Sequence, residues 1–349
     1  MPPTVRVVNS SNLRYEFRNI NSVLRKNNTS FVAVDTEFPG IYHKSEKPYF
    51  RMSGEEHYGL MRKNVNELKL IQLGLTVSDE SGKNTYIWEF NFRDFDLERD
   101  LGDVDSINML KKQGIDFHTN RQEGISSVDF AREFVSSDLG FSLRWSLAPA
   151  FVSRFNPNVN WVFFHCNYDI GYFIRMLTQR HLPEKLTDFL ELVTRCLGDR
   201  IYDLKEIVKF EPFGWQCGLD KVAKNLNMKR RAGQSHQAGS DSLLTLDCFF
   251  AAMRALNYQR GLGAAQFALR AFNYKLFGLA VDEAVMKKLD LMQNGAVGQY
   301  PEMMYDPYVG TAGGFDVGGF GVPVMSMKGF SSGHLRMVPL TLAVPIFGL

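Results

Sequence analysis

Two acidic residues stand at an unusual place in this sequence. Asp35 and Glu37 close the hydrophobic run FVAVDTEF, and alternation along a strand directs both side chains to the same face. Two carboxylates on one buried face lose hydration and repel each other, so they call for cations and, without them, have raised pKa values. The simpler alternative for this pair alone is a strand that ends in solvent, where acids cap a loop.

Two further acids follow other hydrophobic segments. Asp169 lies in FHCNYDIGYF, directly after a second apolar strand, and Asp241 lies in HQAGSDSLLT, near the beginning of a helix. Each is also explained as an ordinary acid of a first helical turn, where the helix dipole favours it. In a mixed sheet, however, strand ends and the adjoining helices converge on one crevice. Four carboxylates there predict a site for Mg²⁺, with two ions about 4 Å apart clamping a phosphoryl centre.

His236 lies five residues before Asp241, in the loop-like stretch RRAGQSHQAGS. Histidine titrates near neutral pH, which suits a general base that takes a proton from water. The alternative is a solvated loop histidine with no chemical role.

Other residues have simpler explanations. His165 lies in the run NWVFFHC and is interpreted as a satisfied core histidine rather than a ligand. Phe38 is more readily a core residue than a base-stacking platform. Asp203 and Lys205 are interpreted as an ion pair at a strand end. The basic run at 229–231 is interpreted as a solvated face, with the steering of RNA phosphates as the alternative.

The net charge, the cysteine spacing and the length of the apolar runs exclude several classes of protein. The chain has 349 residues with 40 basic and 38 acidic side chains, a net charge of +2. That balance excludes a polybasic protein that binds nucleic acid through a global positive field. The four cysteines form no C-x-x-C pair, so neither a disulfide framework nor structural zinc is expected. No apolar run approaches the roughly 18 residues of a membrane span, and no secretion signal is expected at the start.

The hydrophobic patterns predict an α/β fold. Strands at 31–38, 69–77 and 85–92 are compatible with an antiparallel meander, and alternating β and α elements follow. This order predicts a mixed β-sheet flanked by helices. The remaining predicted strands are 160–166 and 200–204, and the predicted helices are 10–26, 105–113, 127–137, 169–180, 186–197 and two that start from Gly218 and Gly239.

The C-terminal part changes in composition. Residues 291–330 contain nine glycines and only four charged residues. We therefore divide the chain into a domain at 1–282, whose last 24 residues are amphipathic and are expected to cap the core, and a tail at 283–349. The tail is rich in Gly, Met and Pro and is expected to be disordered.

The motifs DTEFPG, FHCNYDIGY and HQAGSDSLLT together resemble the DEDDh 3′→5′ exonucleases. More narrowly, residues 10–258 resemble the Caf-one/Pop-two deadenylases, the catalytic subunits of the Ccr-four–Not complex. Cys166-Asn167 stands where this family often has Ser-Gly, and the stretch after Phe250 departs from the usual acidic helix. The resemblance implies a ribonuclease H-like fold and a poly(A)-specific 3′→5′ exoribonuclease. Such an enzyme shortens mRNA tails and releases 5′-AMP, which promotes mRNA decay and translational repression.

Carried over by position, the resemblance implies that Asp35, Glu37, Asp169 and Asp241 bind two Mg²⁺ ions, with Mn²⁺ as an alternative. Asp35 would bridge the ions, and His236 would be the catalytic base. The implied partners are the 3′ end of poly(A) RNA, a Not scaffold subunit and a Ccr-four-type deadenylase, without a membrane. The implied location is cytoplasm and nucleus. Two alternatives stay open: a less selective RNA or DNA 3′ exonuclease, and an adaptor subunit whose own catalysis is dispensable.

Overall fold

A computed structural model of the chain describes residues 3–140, 159–209, 218–261 and 263–279. All of them lie within Met1–Met304, one compact unit. The tail predicted at 283–349 lies outside the described residues, so its boundary stays a prediction.

Six strands form one mixed sheet in the order β1-β4-β3-β2-β5-β6. The central three, β2, β3 and β4, pair antiparallel in succession, which confirms the predicted meander. On one side β5 pairs parallel with β2 and β6 with β5, and on the other β1 pairs parallel with β4. The strands are β1 (Val5–Val8), β2 (Ser30–Glu37), β3 (Gln72–Asp79), β4 (Thr85–Asn91), β5 (Val159–Phe163) and β6 (Ile201–Asp203).

Helices cover both faces of the sheet, and a short 3₁₀ turn precedes the second of them. The turn spans Tyr49–Arg51. The helices are α1 (Leu13–Lys26), α2 (Gly54–Glu67), α3 (Val104–Lys112), α4 (Phe117–Glu123), α5 (Ser127–Ser136), α6 (Asn167–Thr178), α7 (Leu186–Leu197), α8 (Leu204–Val208), α9 (Leu219–Asn225), α10 (Ala238–Arg260) and α11 (Ala264–Phe272). Among these described helices, none has both the length and the apolar composition needed to cross a lipid bilayer.

The alternation of β2 side chains divides the core into two layers. Val32 and Val34 belong to a large cluster with α1, α2, α5, α6 and α7. Phe31 and Ala33 face the opposite way, into a cluster with α8 to α11. The two-residue period therefore carries the odd-numbered residues of β2 toward the α10 side of the sheet.

The strand predicted at 160–166 ends earlier, at Phe163. The following His165 has a backbone φ of 59°, a left-handed conformation that breaks strand geometry. His165 therefore lies in the connection to α6 and not inside a strand. Residues 264–279, at the end of the described chain, do pack on the core, since Tyr274 and Leu279 are buried.

Candidate active site

Asp35 and Glu37 lie at the carboxyl end of β2, on the α10 side of the sheet. This placement follows from the alternation that sends Ala33 into the α10 cluster. Asp35 is half-buried and Glu37 is buried. The alternative of a strand that ends in solvent is wrong, because Asp35 and Glu37 are still paired with β3 and only 7% of Glu37 is exposed.

Asp241 reaches the same place from the first turn of α10. The start of this helix sits directly on β3: a Cβ atom built on Gly74 would overlap the backbone carbonyl of Ala238. Gly74 is the Cα partner of Asp35 across the β2–β3 ladder. A glycine at this position therefore lets the N-terminal end of α10, and with it Asp241, approach Asp35.

Asp169 is fixed to β2 by two hydrogen bonds. It lies in the first turn of α6, and its Oδ1 accepts from Thr36 N at 2.9 Å and from Thr36 Oγ1 at 2.5 Å. Thr36 stands between Asp35 and Glu37 in the sequence. Asp169 is thus held at the end of β2 beside the two strand acids, although it lies 133 residues away along the chain.

His236 completes the group from the loop before α10. Its side chain is exposed, its φ is 61°, and its backbone N–H donates to Asp241 Oδ2 at 2.8 Å. One ligand atom each of Glu37, His236 and Asp241 lies within 4.8 Å of the others. Two carboxylates and an imidazole so close together form a donor set that suits a divalent cation.

The electrostatics of the four carboxyls also favour bound cations. Burial, followed by the charges of Asp169, Asp241 and Glu37, raises the pKa of Asp35 well above its ordinary value. Burial and the charge of Asp241 raise the pKa of Glu37 in the same way. Burial raises the pKa of Asp169 to about 7. The group cannot ionise fully at neutral pH unless positive charge enters it.

Arg230 supplies part of that positive charge. Burial raises the pKa of Asp241, but the charge and hydrogen bond of Arg230 oppose the shift. Nη1 of Arg230 donates to Asp241 Oδ1 at 2.5 Å and to Ser240 Oγ at 2.7 Å, and Nη2 donates to Asp220 at 2.7 Å. The guanidinium therefore ties the loop that carries His236 to both α9 and α10.

Similarity to known proteins decides the family. Residues 8–137 match the profile of the CAF1 family ribonuclease. The chain is 41% identical over 286 residues to probable CCR4-associated factor 1 homolog 7 of Arabidopsis thaliana, an alignment that spans 80% of this chain and 94% of that protein. The chain belongs to the CAF1 family of ribonucleases.

Other CAF1-family proteins are similar over most of the chain. The chain is 36% identical over 250 residues to poly(A) ribonuclease pop2 of Schizosaccharomyces pombe, covering 70% of this chain and 68% of that one. The Mg²⁺- and Mn²⁺-bound structure of S. pombe Pop2p matches with a TM-score of 0.66 and 33% identity over 80% of this chain and 100% of its own. Yeast CAF1 co-crystallized with the NOT1 MIF4G domain matches with a TM-score of 0.58 and 28% identity, covering 78% and 98%. The predicted ribonuclease H-like α/β fold is confirmed.

Within this CAF1-family site, the interpretation of 229–231 as a solvated face is wrong for Arg230. Only 17% of its side chain is exposed, and its charge is matched by two carboxylates. Arg231 pairs with Asp247 through two hydrogen bonds of 2.7 and 2.5 Å. The sequence around Arg230 and Arg231 does not indicate these ion pairs, because the partner carboxylates lie in α9 and α10.

Asp203 has a role that the sequence did not predict. Its Oδ1 accepts from the backbone N–H groups of His165 and Lys205, and its Oδ2 accepts from those of Cys166 and Phe277. This buried carboxylate therefore anchors three segments of backbone at the end of β6. Sequence reasoning missed this role, as it missed Thr36, since both depend on contacts far apart along the chain.

The structure agrees with the interpretation of Phe38 as a packed core residue and of His165 as a hydrogen-bonded histidine. The Phe38 ring stacks on Tyr168 and Tyr172, with centroids 5.3 and 4.7 Å apart, and packs against the large core cluster. His165 is hydrogen-bonded through both ring nitrogens, to Tyr49 and to Lys205. Core packing and a satisfied histidine are thus the correct interpretations, apart from the strand assignment of His165.

Proposed function

We propose that this CAF1-family ribonuclease is a poly(A)-specific 3′→5′ exoribonuclease that shortens mRNA poly(A) tails and releases 5′-AMP. The observation that carries the proposal is the close approach of Glu37, His236 and Asp241, with Asp169 bonded to Thr36 of the same strand and Asp35 within reach of the charges of all three acids. The name of the S. pombe relative, poly(A) ribonuclease pop2, supports the substrate. Tail shortening in turn would promote mRNA decay and translational repression.

The carboxylates fit a pair of divalent cations. Asp35, Glu37, Asp169 and Asp241 would hold them, and the Mg²⁺- and Mn²⁺-bound form of Pop2p supports Mg²⁺ with Mn²⁺ as an alternative. Two such ions, when bound, lower the pKa of water and stabilise the charge that develops on the leaving 3′ oxygen.

Side chains of the protein accept the proton and hold the metal-binding acids in position. The exposed imidazole of His236 takes the proton of the attacking water, because it lies at the open side of the acid group. The hydrogen bond from His236 N to Asp241 fixes that loop relative to α10. Thr36 holds Asp169 in place, and Arg230 holds Asp241.

The test is a time course on RNA with a 3′ poly(A) tail, in Mg²⁺ and in EDTA, with Asp35→Asn and Asp241→Asn as matched variants. We expect stepwise shortening and 5′-AMP in Mg²⁺ only, and no product from either variant. Mixed-sequence RNA and single-stranded DNA degraded at the same rate as poly(A) would favour the less selective nuclease. An intact, folded chain without hydrolysis would favour the adaptor.

An association with a Not scaffold belongs to the same proposal. Yeast CAF1, which resembles this chain, was co-crystallized with the NOT1 MIF4G domain. We infer that this chain joins a Ccr-four–Not complex, with a Ccr-four-type deadenylase as a second partner, in cytoplasm and nucleus. Co-purification of the full chain with a MIF4G domain tests the association, and microscopy of the tagged chain tests the location.

A further inference from the structure

The edge of the sheet that carries the acids extends across β5 and β6. β2, β5 and β6 run parallel, so their carboxyl ends open on one edge. Asp35 and Glu37 end β2, His165 follows β5, and Lys205 follows β6. The imidazole of His165 and the ammonium group of Lys205 therefore lie at the same edge of the sheet as the two acids.

These two groups form a hydrogen-bonded chain that ends in the hydroxyl of Tyr49. Lys205 Nζ lies 3.3 Å from His165 Nδ1, and His165 Nε2 lies 3.0 Å from Tyr49 Oη. An ammonium group can only donate, so Nδ1 is the acceptor. The neutral imidazole then carries its proton on Nε2 and donates to Tyr49. The O–H of Tyr49, which lies beside Gly278, then keeps its own hydrogen for a further acceptor.

The surroundings fix this hydroxyl in place. The Tyr49 ring packs on His57 with centroids 3.9 Å apart and lies parallel to Phe277 at 6.4 Å. Burial lowers the pKa of His165 to about 4, which keeps the imidazole neutral. Tyr49 itself is 42% exposed. A donor that is held in place on a partly exposed ring, and polarised through an imidazole by a cation, suits an anionic oxygen such as that of a phosphodiester.

Phe50, the residue after Tyr49, offers an aromatic surface on which a nucleic-acid base can stack. Phe50 is 78% exposed, and the Arg51 guanidinium lies 5.6 Å from the centre of its ring. Both belong to the 3₁₀ turn that lies between the acids of β2 and α2. An exposed aromatic ring with a cation beside it is the combination that binds single-stranded nucleic acid, because every base can stack on it.

We propose that Tyr49 and Phe50 form a subsite for a nucleotide of single-stranded RNA upstream of the scissile linkage. Tyr49 donates to a phosphodiester oxygen, the Phe50 ring stacks on a base, and His165 and Lys205 hold the hydroxyl in position. This subsite deepens the proposed ribonuclease function and rests on it. RNA is favoured over a protein partner because His165 and Lys205, which hold the Tyr49 hydroxyl, lie at the same edge of the sheet as the acids that are proposed to bind the 3′ end.

The test measures binding of fluorescent oligoadenylate by anisotropy in the Asp35→Asn background, with the full chain and Mg²⁺ present. We expect Tyr49→Phe, which keeps the ring packing, to weaken binding roughly fivefold through loss of one hydrogen bond. Phe50→Ser is expected to weaken binding roughly tenfold through loss of stacking. The matched controls are Tyr15→Phe and Phe267→Ser, whose parent side chains are 58% and 74% exposed elsewhere.

The proposal is overturned if Tyr49→Phe and Phe50→Ser bind the oligoadenylate as tightly as the parent, or if the controls weaken binding equally. It is also overturned if the two variants lose only a protein partner. Thermal unfolding of each variant excludes misfolding as the cause. A wild-type chain that binds RNA through Tyr49 but hydrolyses none would contradict the proposed function alone, so the two failures are distinguishable.

Discussion

Arg230 and Asp241 form an ion pair that is almost withdrawn from solvent. Their side chains are 17% and 10% exposed, and Nη1 and Oδ1 are 2.5 Å apart. The pair places a fixed positive charge against one of the acids that is expected to bind metal. In the metal-free protein Arg230 therefore compensates a charge that a cation would share in the active enzyme.

Replacing Arg230 by Met should destabilise the metal-free protein by about 3–5 kcal/mol, because it leaves the buried Asp241 carboxylate without a positively charged partner. Saturating Mg²⁺ should reduce the loss, since the cation compensates the same carboxylate. Chemical denaturation in EDTA and in Mg²⁺ measures both values. Arg132→Met is the control, because its pair with Asp129 is exposed and worth at most about 1 kcal/mol. An equal loss with and without Mg²⁺ would contradict the compensation.

The raised pKa of Asp169 makes the stability of the metal-free protein depend on pH. The pKa moves from 3.8 to about 7 on folding, so between these values the folded state binds more protons than the unfolded state. Stability therefore falls as pH rises through this range. Asp169→Asn keeps the acceptor for Thr36 but removes the titration, so its unfolding free energy should fall less steeply between pH 5 and about 8.

The contribution of Asp169 to the pH dependence of stability is measured by chemical unfolding in EDTA. The wild type and Asp169→Asn are compared at each pH. Because Mg²⁺ compensates the ionised carboxylates, its addition should stabilise the wild type more at pH 8 than at about pH 5. Parallel stability curves for the two proteins in EDTA would show that Asp169 has an ordinary pKa in the folded state.

His236 should contribute to the rate through proton transfer. His236→Ala is expected to lower kcat roughly 10²–10⁴-fold, the usual range for a general base. Because His236 also lies within 4.8 Å of Glu37 and Asp241, the assay is run as a Mg²⁺ titration. The loss should persist at saturating Mg²⁺ if the imidazole acts on water. Full recovery at high Mg²⁺ would make His236 a metal ligand only, and His181→Ala controls for loss of an exposed histidine.

The sequence predicts those parts of the site that depend on local periodicity. Alternation along β2 places Asp35 and Glu37 on one face, and the hydrophobic runs before Asp169 and the helix signal at Asp241 place both acids in first helical turns. The parallel pairing of β2 with β5 then brings them to one edge. The positions of these acids can be inferred from the sequence because they depend only on the residue periodicity of a single strand or helix.

The parts that were missed depend on contacts between distant segments. Gly74 matters only because α10 begins on top of it, and Thr36 only because Asp169 accepts its two hydrogens. One miss was local: Ser53 and Glu56 form a capping box at the start of α2, a signal that predicts the helix left out of the sequence-based elements.

The folded domain is predicted to end near residue 283. The described chain remains part of the core to its end, since Phe277 N donates to Asp203 Oδ2 and Leu279 is fully buried. All five candidate residues precede residue 242, and 283–349 is poor in charge and rich in glycine. A segment of that composition contributes little to cooperative stability.

Deleting 284–349 should therefore leave the unfolding transition in place and the rate of poly(A) shortening within about twofold of the full chain. The matched deletion from residue 264 removes α11 together with Tyr274, whose hydroxyl donates to Leu190 O at 2.7 Å. That shorter chain should unfold at lower denaturant, because buried contacts are lost with it. If deletion of 284–349 alone lowers the transition or the rate at saturating RNA, the tail packs on the nuclease and the boundary lies further along the chain.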